Sequence, residues 1–87
     1  AQRQFEALER YSLAEQLLRE RNLDAALVEC EKSYQLDPKN YTNNYLYGTL
    51  LMAKGQFHEA AKKLQEALEV EPSFAVAIAT LGLVYRR

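Results

Sequence analysis

The chain repeats itself at a fixed interval. Pro38 and Pro72 lie 34 residues apart, and around them Tyr11 recurs as Tyr45, Leu17 as Leu51 and Ala26 as Ala60. Looser matches fill the same register: Leu18 with Met52, Leu23 with Phe57, Cys30 with Leu64, Leu36 with Val70 and Asp37 with Glu71. A period of this size marks stacked supersecondary units, each unable to bury its apolar face alone. It moves the question of function from a reaction to a surface.

The units are helical. Residues 7–20 carry Leu8, Tyr11, Leu17 and Leu18 at helical spacing, with Leu13 and Ala14 widening the stripe, and residues 1–6 read as a frayed extension. A turn at Arg21-Asn22 leads to a second helix from Leu23 to about Gln35, with Leu23, Ala26, Leu27, Cys30 and Tyr34 on one side. Pro38 then stops the chain, since proline has no amide hydrogen and disfavours a helical residue before it. The cycle restarts with a helix over 41–53, a turn at Lys54-Gly55 and a helix over 56–70 with Phe57, Ala60, Ala61, Leu64 and Leu68 inward. After Glu71-Pro72-Ser73 a fifth helix runs from Ala75 to Arg87. No period-two alternation bounded by turn residues competes. The pattern predicts an all-α chain of five antiparallel helices.

Composition narrows the function classes. Eleven basic and twelve acidic residues give a net charge of −1, so nothing attracts a phosphate backbone and no nucleic-acid partner is expected. No apolar run reaches the ~20 residues of a spanning helix, so membrane insertion is not expected either. The single cysteine, Cys30, cannot staple its own chain, which favours a disulfide-free, cytoplasmic setting. The sequence opens on Ala1 rather than Met, as expected of a processed chain or a fragment of a longer one.

Candidate chemistry is sparse. His58, the one histidine, sits beside Glu59 in the first turn of the fourth helix, where the register predicts exposure. Cys30 takes a partner-facing position and reads as a small buried hydrophobe rather than half of a thiol–imidazole pair. These two residues fall short of the four ligands of a structural zinc site. Glu29, Glu31, Glu66 and Glu69 read as a solvated face, partly paired with Lys32, Lys62 and Lys63. Gly48, Gly55 and Gly82 do not form a phosphate-cradling loop. No enzyme, cofactor or metal is expected.

This arrangement resembles the tetratricopeptide repeat. Counted back from Pro72, one unit begins at Tyr41 and matches at Asn44, Tyr47, Gly48, Leu51, Ala60, Leu64 and Ala67. Counted back from Pro38, another begins at Ala7 and matches at Arg10, Leu13, Ala14, Leu17, Ala26, Cys30 and Ser33. A partial third begins at Ala75, with Ile78, Leu81, Gly82 and Tyr85. The resemblance implies a single domain, a right-handed alpha-alpha superhelix with repeats over 7–40 and 41–74 and a half repeat over 75–87. Ala14, Gly48, Gly82, Ala26 and Ala60 would let backbones approach, with Leu13, Leu17, Tyr47, Leu51, Leu64 and Leu68 filling the space beside them. Arg10 and Asn44 stand where a large apolar residue is usual, and are expected to weaken the outer edge of the first helices.

In this family the first helix of each pair lines a concave groove. By register that groove would hold Leu8, Tyr11, Glu15 and Leu18 from the first unit. Thr42, Tyr45, Thr49 and Met52 would come from the second, and Val76, Ala79 and Leu83 from the third. The surface is apolar, aromatic and weakly polar, suited to a protein or peptide partner held as by a scaffold or adaptor. One subgroup grips acidic chaperone tails with basic residues; the corresponding places here hold Tyr11, Glu15, Leu46, Val76 and Thr80, so that carboxylate clamp is not expected. From Ala75 to Val84 only Thr80 is polar. An uncovered apolar helix marks an interface or a truncation, so a homo-oligomer through residues 75–87 is the second expectation.

Overall fold

The structure, a computed structural model, describes residues 2–86. Five helices follow one another: α1 (Gln2–Arg19), α2 (Leu23–Leu36), α3 (Tyr41–Ala53), α4 (Phe57–Val70) and α5 (Ala75–Tyr85). There is no strand among the described residues. Neighbours in sequence pack on one another, α1 on α2 and α3 on α4 most extensively, and α5 also reaches back to α3. The all-α expectation and the order of the helices hold. Arg87, which the sequence pattern puts at the end of the fifth helix, lies outside the described residues.

The turns show why the chain doubles back where it does. At the end of α1, Asn22 N–H donates to the Leu17 carbonyl and Arg21 N–H to the Leu18 carbonyl, both at 2.9 Å. The same two bonds recur after α3, from Gln56 to Leu51 at 2.9 Å and from Gly55 to Met52 at 3.0 Å. This is the helix-ending motif that needs one left-handed residue. Gly55 supplies it at φ 81°, and Arg21, at the equivalent place, adopts φ 64°. Asn22 and Asn40 then cap α2 and α3, their side-chain oxygens accepting from Ala25 N–H at 3.4 Å and Asn43 N–H at 3.3 Å. Each Pro-containing turn is closed by an acidic side chain: Asp37 accepts from Lys39 N–H at 3.2 Å and Glu71 from Ser73 N–H at 3.3 Å.

The first helix is longer than expected. Residues 2–6 continue α1, and Arg3 donates to the Gln35 carbonyl at 3.0 Å, supplying a partner for the end of α2. One turn on, Ala7 is fully buried and its carbonyl accepts the Ser33 hydroxyl at 2.8 Å.

Small residues set the interhelical spacing. Ala14, Ala26 and Ala60 have no exposed surface. A Cβ added to Gly48 would lie 2.8 Å from Leu64 Cγ and 3.1 Å from the Ala60 carbonyl oxygen, so α3 and α4 touch nearly backbone to backbone there. Gly82 differs from expectation: nothing within 4 Å among the described residues would meet a Cβ on it. Leu13 differs too. It is exposed and fills no interior space, because its side of α1 has no described helix against it.

The core has two parts. Ala14, Ala26, Cys30, Leu46 and Leu50 form one, and Leu51, Ala60, Leu64, Ala77 and Val84 the other; Leu27 and Tyr47 pack against both and join them. Polar links also cross between the helix pairs, two of them at covered positions. Asn43, fully buried, donates its amide to the Cys30 carbonyl at 3.1 Å, fastening α3 to α2. Tyr34 on α2 donates to Glu66 on α4 at 2.5 Å, and Lys63 sits 3.6 Å above the Tyr34 ring while pairing with Glu66 at 3.3 Å.

Several polar expectations are corrected by these contacts. Arg10 and Asn44 both find partners, although the Asn44 side-chain oxygen is buried with none among the described residues. Arg10 pairs with Glu29 at 3.0 Å, and the fully buried Asn44 donates to the Pro38 carbonyl at 2.9 Å. Glu29 is buried rather than solvated, held between Arg10 and Lys32. Lys63 is likewise mostly covered, its ammonium lying over the aromatic pair Tyr34 and Tyr47 at 3.6 and 5.4 Å from the ring centres.

Candidate partner-binding surface

Alternate helices of the stack, α1, α3 and α5, carry the eleven positions that the register assigns to a groove. Side chains three or four apart share one helix face, so each helix contributes one row. Leu8, Val76, Ala79 and Leu83 are exposed, and Tyr11, Glu15, Leu18, Thr42, Tyr45, Thr49 and Met52 are half-buried.

The geometry brings some of them together. The Tyr11 hydroxyl donates to Glu15 at 3.2 Å, within α1, and Thr42 of α3 lies within hydrogen-bonding reach of the same hydroxyl. Partial burial and the Glu15 carboxylate raise the Tyr11 phenol above its ordinary range. Leu18 and Tyr11 pack on the first core, Tyr45 and Met52 on the second. The threonines are less free than their position suggests. Thr49 donates to the Tyr45 carbonyl at 2.8 Å, so its hydroxyl is spent inside its own helix. Tyr45 has no such commitment: its hydroxyl has no hydrogen-bond partner among the described residues.

Phe74 was not singled out by the sequence pattern, yet it organises this face. It caps the start of α5 and wedges edge-on between Tyr41 at 5.2 Å and Tyr45 at 5.3 Å. The position 34 residues earlier is Asn40, so the period gave no hint of it. An aromatic just before an apolar helix, with two tyrosines at i and i+4 on α3, was the available signal.

The remaining candidate chemistry is dispersed. His58 is exposed and Cys30 fully buried, with no hydrogen bond between them. Burial, reinforced by Glu29, pushes the Cys30 thiol up to about 12, so it stays protonated and a poor nucleophile at neutral pH. A dispersed set of this kind does not assemble a nucleophile and a base.

Paired helices, small-residue contacts repeated in register and a row of half-buried side chains on alternate helices define a helical-repeat protein whose working part is a surface. A family profile of the tetratricopeptide repeat matches residues 17–81. The chain belongs to the tetratricopeptide repeat family, and is a protein–protein interaction module of that kind. It is also similar to Cell division cycle protein 27 homolog A of Arabidopsis thaliana, 34% identical over 64 residues. That match takes in 74% of this chain and 9% of the relative's length.

Proposed function

We propose that the chain is a scaffold or adaptor piece that holds a peptide or helix against the row Tyr11, Tyr45, Met52 and Leu83. In this reading the units run over 7–40, 41–74 and 75–87, with α1, α3 and α5 lining the groove. The partner buries apolar side chains there, and no catalytic step is involved. The observation that carries the reading is Tyr45: half-buried on a firm base of Phe74, with its hydroxyl unspent. A rigid aromatic with a polar tip is a favourable anchor because little entropy is lost on binding. The likeness to a cell-division-cycle protein supports the reading only at the level of class, since the matched segment is 9% of that protein.

The test is a displayed-peptide selection against the immobilised chain. Selected peptides should bind the parent chain and lose binding to Tyr45→Ala, with far-UV circular dichroism unchanged. Peptides that bind both equally would refute the groove.

A second reading has its own observation. Val76, Ile78 and Leu83 on α5 are each about half exposed, at 49%, 53% and 51%. In that reading α5 docks on another copy, the chain sediments as an oligomer and Leu83→Glu dissolves it. A monomer throughout a concentration series would remove it.

A further inference from the structure

None of the eleven groove positions lines the hollow between α2, α3 and α4. Its volume is about 440 Å3. Leu27, Val28 and Leu51 supply apolar wall, and Glu31, Glu59, Tyr47 and Gln56 supply the polar groups. Val28 is 52% exposed, although it stands in the middle of a helix whose other apolar residues are mostly covered. Glu31 and Glu59 come from different helices and neither makes an ion pair among the described residues. Glu31 has only a long bond from the Tyr47 hydroxyl, 3.4 Å.

Three of the neighbouring lysines are engaged elsewhere. Lys63 pairs with Glu66 over Tyr34, Lys54 with Asp24 at 2.6 Å, and Lys32 with Glu29. Lys62, three residues after Glu59 on α4, is exposed and makes no ion pair among the described residues. Two carboxylates without an ion pair among the described residues therefore flank one apolar recess. Both act on a single group: the Tyr47 phenol is pushed up to about 12, by burial first, then by Glu31, with Glu59 adding to it.

We propose that this hollow seats an arginine side chain presented by a partner protein. The methylene stem would lie on Leu27, Val28 and Leu51 while the head stays at the rim. A guanidinium has enough donors in one plane to serve carboxylates on two helices at once, which an ammonium point charge does not. A bare divalent cation fits poorly, because it needs close oxygen ligands all round and half of this wall is hydrocarbon.

The experiment titrates the isotope-labelled chain with short blocked peptides carrying one arginine, one lysine or one citrulline among alanines, followed by NMR. The arginine peptide should give weak, saturable shifts centred on Val28, Glu31, Tyr47 and Glu59. Binding should fall by about tenfold or more for citrulline, and equally for arginine against the Glu31→Gln/Glu59→Gln variant. Both glutamates are exposed, so that variant keeps the fold, and Val28→Ser provides a second, uncharged test with a several-fold loss. Tyr45→Ala should bind the arginine peptide as the parent does, which separates this site from the groove. Equal binding of citrulline, an unaffected double variant, or shifts centred on Tyr45 and Met52 would overturn the proposal. Lysine binding as tightly as arginine would overturn the assignment to a guanidinium.

Discussion

At the residue scale, two glycines in the same register meet opposite surroundings. Gly48 has Leu64 and the Ala60 carbonyl where its Cβ would go, while Gly82 has open space. Gly48→Ala should destabilise the chain by about 1–3 kcal/mol, because the fully buried Leu64 has little room to yield. Gly82→Ala should stabilise it by up to about 1 kcal/mol, the ordinary gain from alanine over glycine inside a helix. Urea melts of both variants decide the matter, and shifts of the same sign would contradict the packing described. Cys30 supplies a second test. Its folded-state value of about 12 lies above the 9.0 of an ordinary thiol, so the protonated form is favoured by folding. Stability from this group is complete below pH 9.0 and is lost as pH rises toward about 12. Melts of the parent across that window should lose stability beyond what Cys30→Ala loses over the same range.

At the scale of elements, the turns were largely legible and the polar contacts were not. Proline, glycine and asparagine act locally through φ and missing or extra hydrogen-bond groups, so the stops and caps could be read from neighbouring letters. The start of α1 could not, because Arg3 is held by carbonyls at the far end of α2. The same holds for Arg10, whose partner Glu29 lies on the next helix, whereas Asn44 donates to the Pro38 carbonyl in the turn just before its own helix. The proposed groove row is assigned by register alone, whereas the contacts of Phe74 and the hollow at Val28 depend on how separate helices meet. The turn after α1 shows what the repeat leaves unoptimised. Arg21 holds the left-handed conformation that Gly55 holds after α3, and a side chain there is strained by about 1–2 kcal/mol. Arg21→Gly should therefore raise stability by about 0.5–1 kcal/mol, part of the gain being offset by glycine's freer unfolded chain. Thermal melts of the variant beside Gly55→Ala, which should move the other way, test the motif at both places.

At the scale of the whole molecule, the question is what makes two helix pairs one cooperative unit. A stack of this kind has stability set by each pair and by the interface to the next. Here the interface depends on Leu27 and Tyr47, shared by both cores, on the Tyr34–Glu66–Lys63 cluster, and on Asn43. Asn43 is the most exposed of these to failure. It is wholly buried, and its amide gives the Cys30 carbonyl a partner from the next pair. Asn43→Ala removes that bond and leaves a small void between α2 and α3, a loss of about 1–3 kcal/mol. The loss falls on the junction rather than on either pair. Native-state hydrogen exchange reads this directly. In the parent, the slowest amides of α1 and α2 should open with those of α3 and α4 in one global event. In Asn43→Ala the two sets should separate, with α1 and α2 exchanging through an opening that leaves α3 and α4 protected. An equal fall of protection in all four helices would mean that Asn43 stabilises the fold as a whole and that the coupling between the pairs lies in the shared apolar residues.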